Sequence, residues 1–148
     1  LLPERFDLEY RTADNTTERP YMLHRTILGS MERFFGILIE HYAGAFPTWL
    51  APIQAMLIPI SDEQVEYARS VANELMNAGV RVEIDDTNER MNAKIAKATA
   101  QKIPYMLVLG KKEVEEGVCA VRHRTEGDLG AMSVEEFAKK VKNEMPLV

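Results

Sequence analysis

The sequence of 148 residues predicts an α/β fold, a three-layer α/β/α domain with a mixed, mostly parallel sheet of about five strands. Three observations carry that expectation. Beyond residue 52, short apolar runs of strand length alternate with segments whose apolar residues recur every three or four positions. The order read from this alternation is strand, helix, strand, helix, strand, strand, helix, and a helix between two strands returns the chain for parallel pairing. The composition, 46% hydrophobic and 28% charged, is ordinary globular usage and leaves no case for extended disorder.

The elements follow in order. Residues 1–19 open with a short alternating segment, Phe6, Leu8 and Tyr10, and continue in the polar loop RTADNTTER, where Asp14-Asn15 suits a turn. PYMLHR, 20–25, reads as the partner strand of a hairpin. From Ser30 the period becomes helical, with Met31, Phe34, Phe35, Leu38 and Tyr42 on one stripe and Gly44 closing it. GAFPTWLAP, with Pro47 and Pro52, reads as a connector, so the expected organisation is a first segment at 1–46, a linker at 47–52 and a domain at 53–148.

In that domain IQAMLIPI, 53–60, is an apolar strand, and Ser61 or Asp62 caps a helix striped by Val65, Ala68, Ala72 and Leu75. VRVEID, 80–85, alternates as a strand. Met91, Ile95 and Ala98 then mark a helix that Pro104 stops. PYMLVLG and VCAVRHR read as antiparallel strands joined by KKEVEEG. SVEEFAKKVKNEM closes the chain as a helix, with Ser133 and Glu136 spaced as a capping box.

Charge and cysteine usage narrow the function classes. A net charge of −5 argues against a wholly basic nucleic-acid coat but leaves room for a local basic face. The single cysteine, Cys119, permits no internal disulfide and no cysteine-only metal site, which fits a reducing cytoplasm; in its apolar alternation it reads as a small core residue. No apolar run approaches the roughly 20 residues that span a bilayer, so no membrane partner is expected. No signal peptide opens the chain, and a first residue that is leucine rather than methionine suggests an excised piece. Neither G-x-G-x-x-G nor G-x-x-x-x-G-K-[ST] occurs.

Candidate chemistry therefore lies in subtler sets. His24 at the end of a strand has an imidazole suited to metal ligation, or is simply a hydrogen-bonded histidine. Arg33 lies opposite the apolar stripe with Gly36 and Glu40. Its planar guanidinium can stack on a nucleotide base or meet phosphate, and a solvated arginine is the plain alternative. From Arg90 to Lys112 there are six Lys or Arg and no carboxylate, in a chain holding 23 of them. Arg90, Lys94 and Lys97 share one helix face, which is either solvated or meets an anionic partner such as an RNA backbone. Asn88, Glu113 and Arg122 carry head groups that pair with unstacked base edges, yet each also has a structural reading: N-cap, turn residue and exposed strand residue.

HRTILGSMERFFGILIEHYAG, running directly into AFPTWLAPIQ, resembles the bacterial-type threonyl-tRNA synthetase family. The resemblance continues through DDTNERMNAKI, KIPYMLVLGKKEVEEG, VCAVRHR and DLGAMSVEEF, and so covers essentially the whole chain. It implies a C-terminal piece: residues 1–46 as the strand-helix end of a class II antiparallel catalytic domain with its third motif, and 53–148 as an anticodon-binding domain. It further implies that Arg33 binds ATP as a catalytic residue, and that His24 is one of three zinc ligands whose partners lie outside this piece. Asn88, Glu113 and Arg122 would read the anticodon, with Lys102 nearby where family members often carry arginine.

The same resemblance implies a parent threonine-tRNA ligase using ATP with magnesium and zinc, acting on threonine and tRNA(Thr), homodimeric and cytoplasmic. This piece alone is expected to bind the anticodon, to hold no cofactor and to be inactive in aminoacylation. A non-catalytic RNA-binding or regulatory protein that kept the anticodon-binding fold is the rival reading. An α/β nucleotide-binding or protein-interaction domain is a third.

Overall fold

The computed structural model describes residues 2–144. By their contacts these divide into two compact units, residues 2–36 and 37–144, with the boundary inside a helix.

The first unit opens with a helical turn, α1 (Leu2–Arg5), and a hairpin of two-residue strands, β1 (Tyr10–Arg11) and β2 (Thr17–Glu18). The turn sits where Asp14-Asn15 suggests it, with Asn15 in the left-handed region and the Thr12 hydroxyl 2.7 Å from that of Thr16. The partner strand, however, is Thr17–Glu18, and PYMLHR has no strand structure. Pro20 has no N–H to give a ladder, and residues 21–30 are all exposed, so nothing rewards an extended pairing there. Helix α2 (Met31–Tyr42) has the expected bounds, and Ala43 and Gly44 leave it at positive φ. None of its residues is buried; Phe34 and Leu38 are half-buried, and Met31 and Phe35 are exposed.

The second unit holds a five-stranded sheet in the order β4-β3-β5-β6-β7. Its strands are β3 (Ala55–Pro59), β4 (Val82–Ile84), β5 (Tyr105–Leu109), β6 (Val118–His123) and β7 (Gly127–Ser133). β4, β3 and β5 pair in parallel, and β6 lies antiparallel to both β5 and β7. Four strands therefore run one way and β6 runs against them, the mixed and mostly parallel sheet that the sequence predicts. Helices α3 (Val65–Asn77) and α6 (Val134–Asn143) bury Ala68, Val71, Leu75, Phe137 and Val141 against Leu57, Tyr105, Leu107, Cys119 and Val121. Across the sheet, α4 (Met91–Ala100) buries Ala98 with Met56, Ile58 and Met106. Alternate residues of β3 and β5 thus serve opposite cores, as the period of two requires.

Two elements of the second unit escaped the sequence reading. KKEVEEG is a short helix, α5 (Lys111–Glu116), rather than a loop, closed by Gly117 at φ 68°. At Gly110, ahead of it, a Cβ would lie 2.8 Å from both Glu113 Oε2 and Ile60 Cδ1, so the ends of those two side chains would have to shift. The other is β7, whose Gly127 and Gly130 dilute the strand signal; a register shift at Val121/Arg122 accommodates it. Ser133 caps α6 as expected, accepting from the Glu136 amide at 3.2 Å, while Glu136 accepts from the Ser133 amide at 3.0 Å.

Candidate nucleic-acid interface

Helices on opposite faces leave two open places in the second unit: the carboxyl ends of the parallel strands and the half of the α4 face formed by β6 and β7. The loop after β3 leads to α3 on one face and the loop after β4 leads to α4 on the other. Their divergence leaves a cavity of about 140 Å³ lined by residues of both loops, among them Ser61, Asp62, Thr87, Asn88 and Lys94. The cavity lies outside the carboxyl ends of parallel strands, the end at which open α/β sheets bind ligands, next to the β3/β5 point where the connections turn opposite ways. Asn88 stands here, exposed and two residues before the N-cap of α4, which is Arg90 and not Asn88 itself.

Glu113 stands at the same edge, at the start of α5. Its Oε2 accepts from the Gly110 amide at 2.9 Å, beside Ile60, which also lines the cavity. One carboxylate oxygen is therefore engaged in capping, so any base contact falls to the other.

The loop carrying Asn88 is fixed from below. Lys94, expected on a solvated helix face, is 4% exposed, and its ammonium donates to the carbonyls of Asp85 at 2.9 Å and Pro59 at 3.2 Å. It thereby ties the ends of β3 and β4 together. Asp85 accepts from the amide of Thr87 at 3.2 Å and from its hydroxyl at 2.5 Å, with Lys97 Nζ 3.9 Å away. Burial pushes the Asp85 carboxyl up, but the Thr87 hydrogen bonds and the Lys97 and Lys94 charges outweigh it, holding the carboxyl below its usual value. The basic run is thus divided: Lys94 is internal, and Arg90, Lys97, Lys102, Lys111 and Lys112 are exposed.

Arg122 belongs to the other open place. It lies across from Met106 on β5 and Asp128 on β7, so its side chain shares the α4 face of the sheet. Beside it Val108 and Ala120 are half-buried, and Ala131 is exposed. This makes a shallow apolar floor with a guanidinium at its edge. Lys102 is exposed at the amino end of β5, with φ 61°, and its carbonyl accepts from Arg124 Nη1 at 2.7 Å. The four expected tRNA contacts therefore fall in two pairs, Asn88 with Glu113 at the carboxyl edge and Arg122 with Lys102 toward the amino edge.

His24 and Arg33 lie in the first unit, both exposed; Arg33 donates its amide to the Ser30 hydroxyl at 3.4 Å. Among the described residues no group of three His, Cys, Asp or Glu is placed to hold a metal ion. One imidazole does not make a zinc site, so the residues present do not fit that ion by themselves. Burial pushes the Cys119 thiol up to about 12, which matches its reading as a core residue.

The sequence reading missed Lys94 as a structural group, although its spacing from Met91 and Ala98 places it on the apolar stripe. It also missed the roles of Arg81 and Arg124, whose carbonyl partners are distant in sequence, and of Gln54, which joins the Thr48 carbonyl to the distant Arg81 amide; none leaves a local pattern.

Residues 54–144 match the family model of the anticodon binding domain. Over 97% of its length the chain is 59% identical to threonine–tRNA ligase of Clostridium botulinum strain Hall, covering 23% of that protein. The Clostridium tetani threonine–tRNA ligase is 56% identical over the same share, with 22% of its length covered. The chain thus spans under a quarter of the length of these curated relatives. Among solved structures, the RNA-binding domain of threonyl-tRNA synthetase from Cryptosporidium parvum Iowa II superposes with a TM-score of 0.82 at 36% identity, over 97% of this chain and 36% of that one. Histidyl-tRNA synthetase from Nostoc sp. PCC 7120 gives 0.61 at 18% identity, over 76% and 28%, a likeness of fold alone. With the five-stranded sheet and helices α3 to α6 covered by that model from Gln54 to Glu144, the chain belongs to the anticodon-binding domain family, in the form found in threonyl-tRNA synthetases.

Proposed function

We propose that the second unit binds the anticodon loop of tRNA(Thr), with Asn88, Glu113 and Arg122 pairing to base edges and Lys102 meeting phosphate. The observation that carries this reading is the match of residues 54–144 to the anticodon binding domain, which brings the two open places of the sheet into one functional context. The chemistry agrees: unstacked bases offer donors and acceptors that an amide, a carboxylate and a guanidinium complement, and the apolar strip of Val108 and Ala120 suits a base face. A lysine at 102 gives charge without a planar fork, which suits phosphate better than a base edge.

The parent reaction is part of the same reading. A cytoplasmic, homodimeric enzyme would activate threonine with ATP and magnesium and pass the acyl group to tRNA(Thr). Arg33 is this chain's contribution to ATP, its guanidinium lying against the base and countering phosphate charge. His24 contributes one zinc ligand to a site completed elsewhere. A purely RNA-binding descendant is disfavoured, because it would have no use for either residue.

Binding of this chain to tRNA(Thr) and to the same tRNA with an altered anticodon, at one stated salt concentration, tests the reading. Tighter binding of the unaltered tRNA is expected. Equal affinity would reduce the claim to phosphate attraction.

A further inference from the structure

The connector between α2 and β3 has no strand and no helix of its own, yet five of its carbonyls are taken by the side chains of Gln54, Arg81 and Arg124, which lie in the same unit. Arg124 Nη2 donates to Ala45 at 3.0 Å and Phe46 at 2.7 Å. Gln54 Nε2 donates to the Thr48 carbonyl at 2.9 Å. Arg81 Nη2 donates to Trp49 at 2.8 Å and Ala51 at 2.9 Å. Gln54 is fully buried, and its Oε1 accepts from the Arg81 amide at 2.9 Å, so the holders are themselves held. Pro47 adds two turn bonds, its carbonyl accepting from the amides of Leu50 at 2.9 Å and Ala51 at 3.0 Å. A flexible linker leaves its carbonyls to water; these are matched to fixed donors.

One of those donors reaches the RNA side. The Arg124 guanidinium that clasps Ala45 and Phe46 also donates to the Lys102 carbonyl at 2.7 Å, and the Arg124 amide donates to Pro104 at 3.0 Å. Lys102 holds φ 61° as the left-handed residue that ends α4, its amide donating to Thr99 at 3.0 Å and the Ile103 amide to Ala98 at 3.2 Å, so its carbonyl is presented to Arg124 from a fixed helix end. Arg124 is two residues from Arg122, immediately after the end of β6.

We propose that Arg124 is a positioning residue joining Lys102 and residues 45–51 into one hydrogen-bonded unit, so that RNA seated at Lys102 and Arg122 stiffens the connector. The inference rests on the RNA reading above for its partner, and on the hydrogen bonds alone for the unit. Arginine is needed because one planar fork serves three carbonyls, whereas lysine would serve fewer from a single nitrogen.

Amide hydrogen exchange on the whole chain, free and saturated with tRNA(Thr), tests it with Arg124→Ala and Arg124→Lys. In the free chain, Arg124→Ala is expected to speed exchange at 45–51 and at Lys102–Ile103 about tenfold, leaving β3 and β5 unchanged, and Arg124→Lys to recover part of that loss. The tRNA should slow exchange at 45–51 in the unsubstituted chain and fail to do so in Arg124→Ala, even where it still binds. Unchanged exchange at 45–51 in free Arg124→Ala overturns the hydrogen-bonded unit. Bound tRNA that leaves 45–51 unaffected in the unsubstituted chain overturns the coupling while anticodon discrimination stands. Should Arg124→Ala also loosen β3 and β5, Arg124→Lys and the tRNA arm of the unsubstituted chain decide. Equal binding to altered anticodons is the separate failure of the RNA reading.

Discussion

The two units carry similar chemistry on unlike supports. Residues 2–36 hold His24 and Arg33 on segments where Pro3 is the sole buried residue among those described, beside strands of two residues. Residues 37–144 hold Asn88, Lys102, Glu113 and Arg122 on a five-stranded sheet with a core on each face. A side chain is a site only when its surroundings fix it and supply its partners. By that criterion the second unit fixes the groups proposed to meet RNA, and the first holds isolated ones.

Core truncation should divide the units most sharply. Phe137 is fully buried, so Phe137→Ala is expected to cost about 3–5 kcal/mol, read as a large fall in the denaturant midpoint. Phe35 is 55% exposed, so Phe35→Ala should stay within about 0.5 kcal/mol. Equal losses from the two would erase the contrast.

Lys94→Ala comes next. It strands the carbonyls of Pro59 and Asp85 and removes a neighbour of the Asp85 carboxylate, for an expected loss of about 1–3 kcal/mol by chemical denaturation. A neutral outcome would return Lys94 to the solvated helix face that the sequence suggests.

A smaller effect is the pH dependence of Asp85. Its folded carboxyl titrates below its unfolded value, so the unfolded chain binds the proton first on acidification. Its contribution is present above the unfolded pKa, near about 4, and is lost as pH falls through the folded one. Denaturation midpoints of the unsubstituted chain and Asp85→Asn should therefore converge as pH drops below that range. A gap that widens there contradicts the assignment.

The least change is expected from Lys102→Ala on tRNA binding. A phosphate contact predicts a modest, sequence-independent weakening and a salt slope shallower by about one. A loss confined to the unaltered anticodon would make Lys102 a base reader instead.

How far the sequence could be read follows the same division. α3, α4, α6 and the three parallel strands are legible because each buries a stripe or run against a core, and burial is what imposes a period; α2 keeps a helical period although none of its residues is buried. α5 is too short for a stripe, and β7 is interrupted by glycines, so neither imposes one. PYMLHR has strand composition with nothing to pair on. In the site, residue identity pointed to Arg122 and Asn88, and the family likeness to their roles. Lys94 shows the limit of charge patterning, since three cations on one helix face divide into one buried and two exposed.

The most direct test of the anticodon claim is the ratio of affinities for tRNA(Thr) and its anticodon-altered form, measured for the unsubstituted chain and for Arg122→Ala at the same salt. The account predicts a ratio above one that collapses toward one in the variant. This corresponds to a loss of about 1–3 kcal/mol on the unaltered tRNA and little on the other. A ratio that Arg122→Ala leaves intact would contradict it.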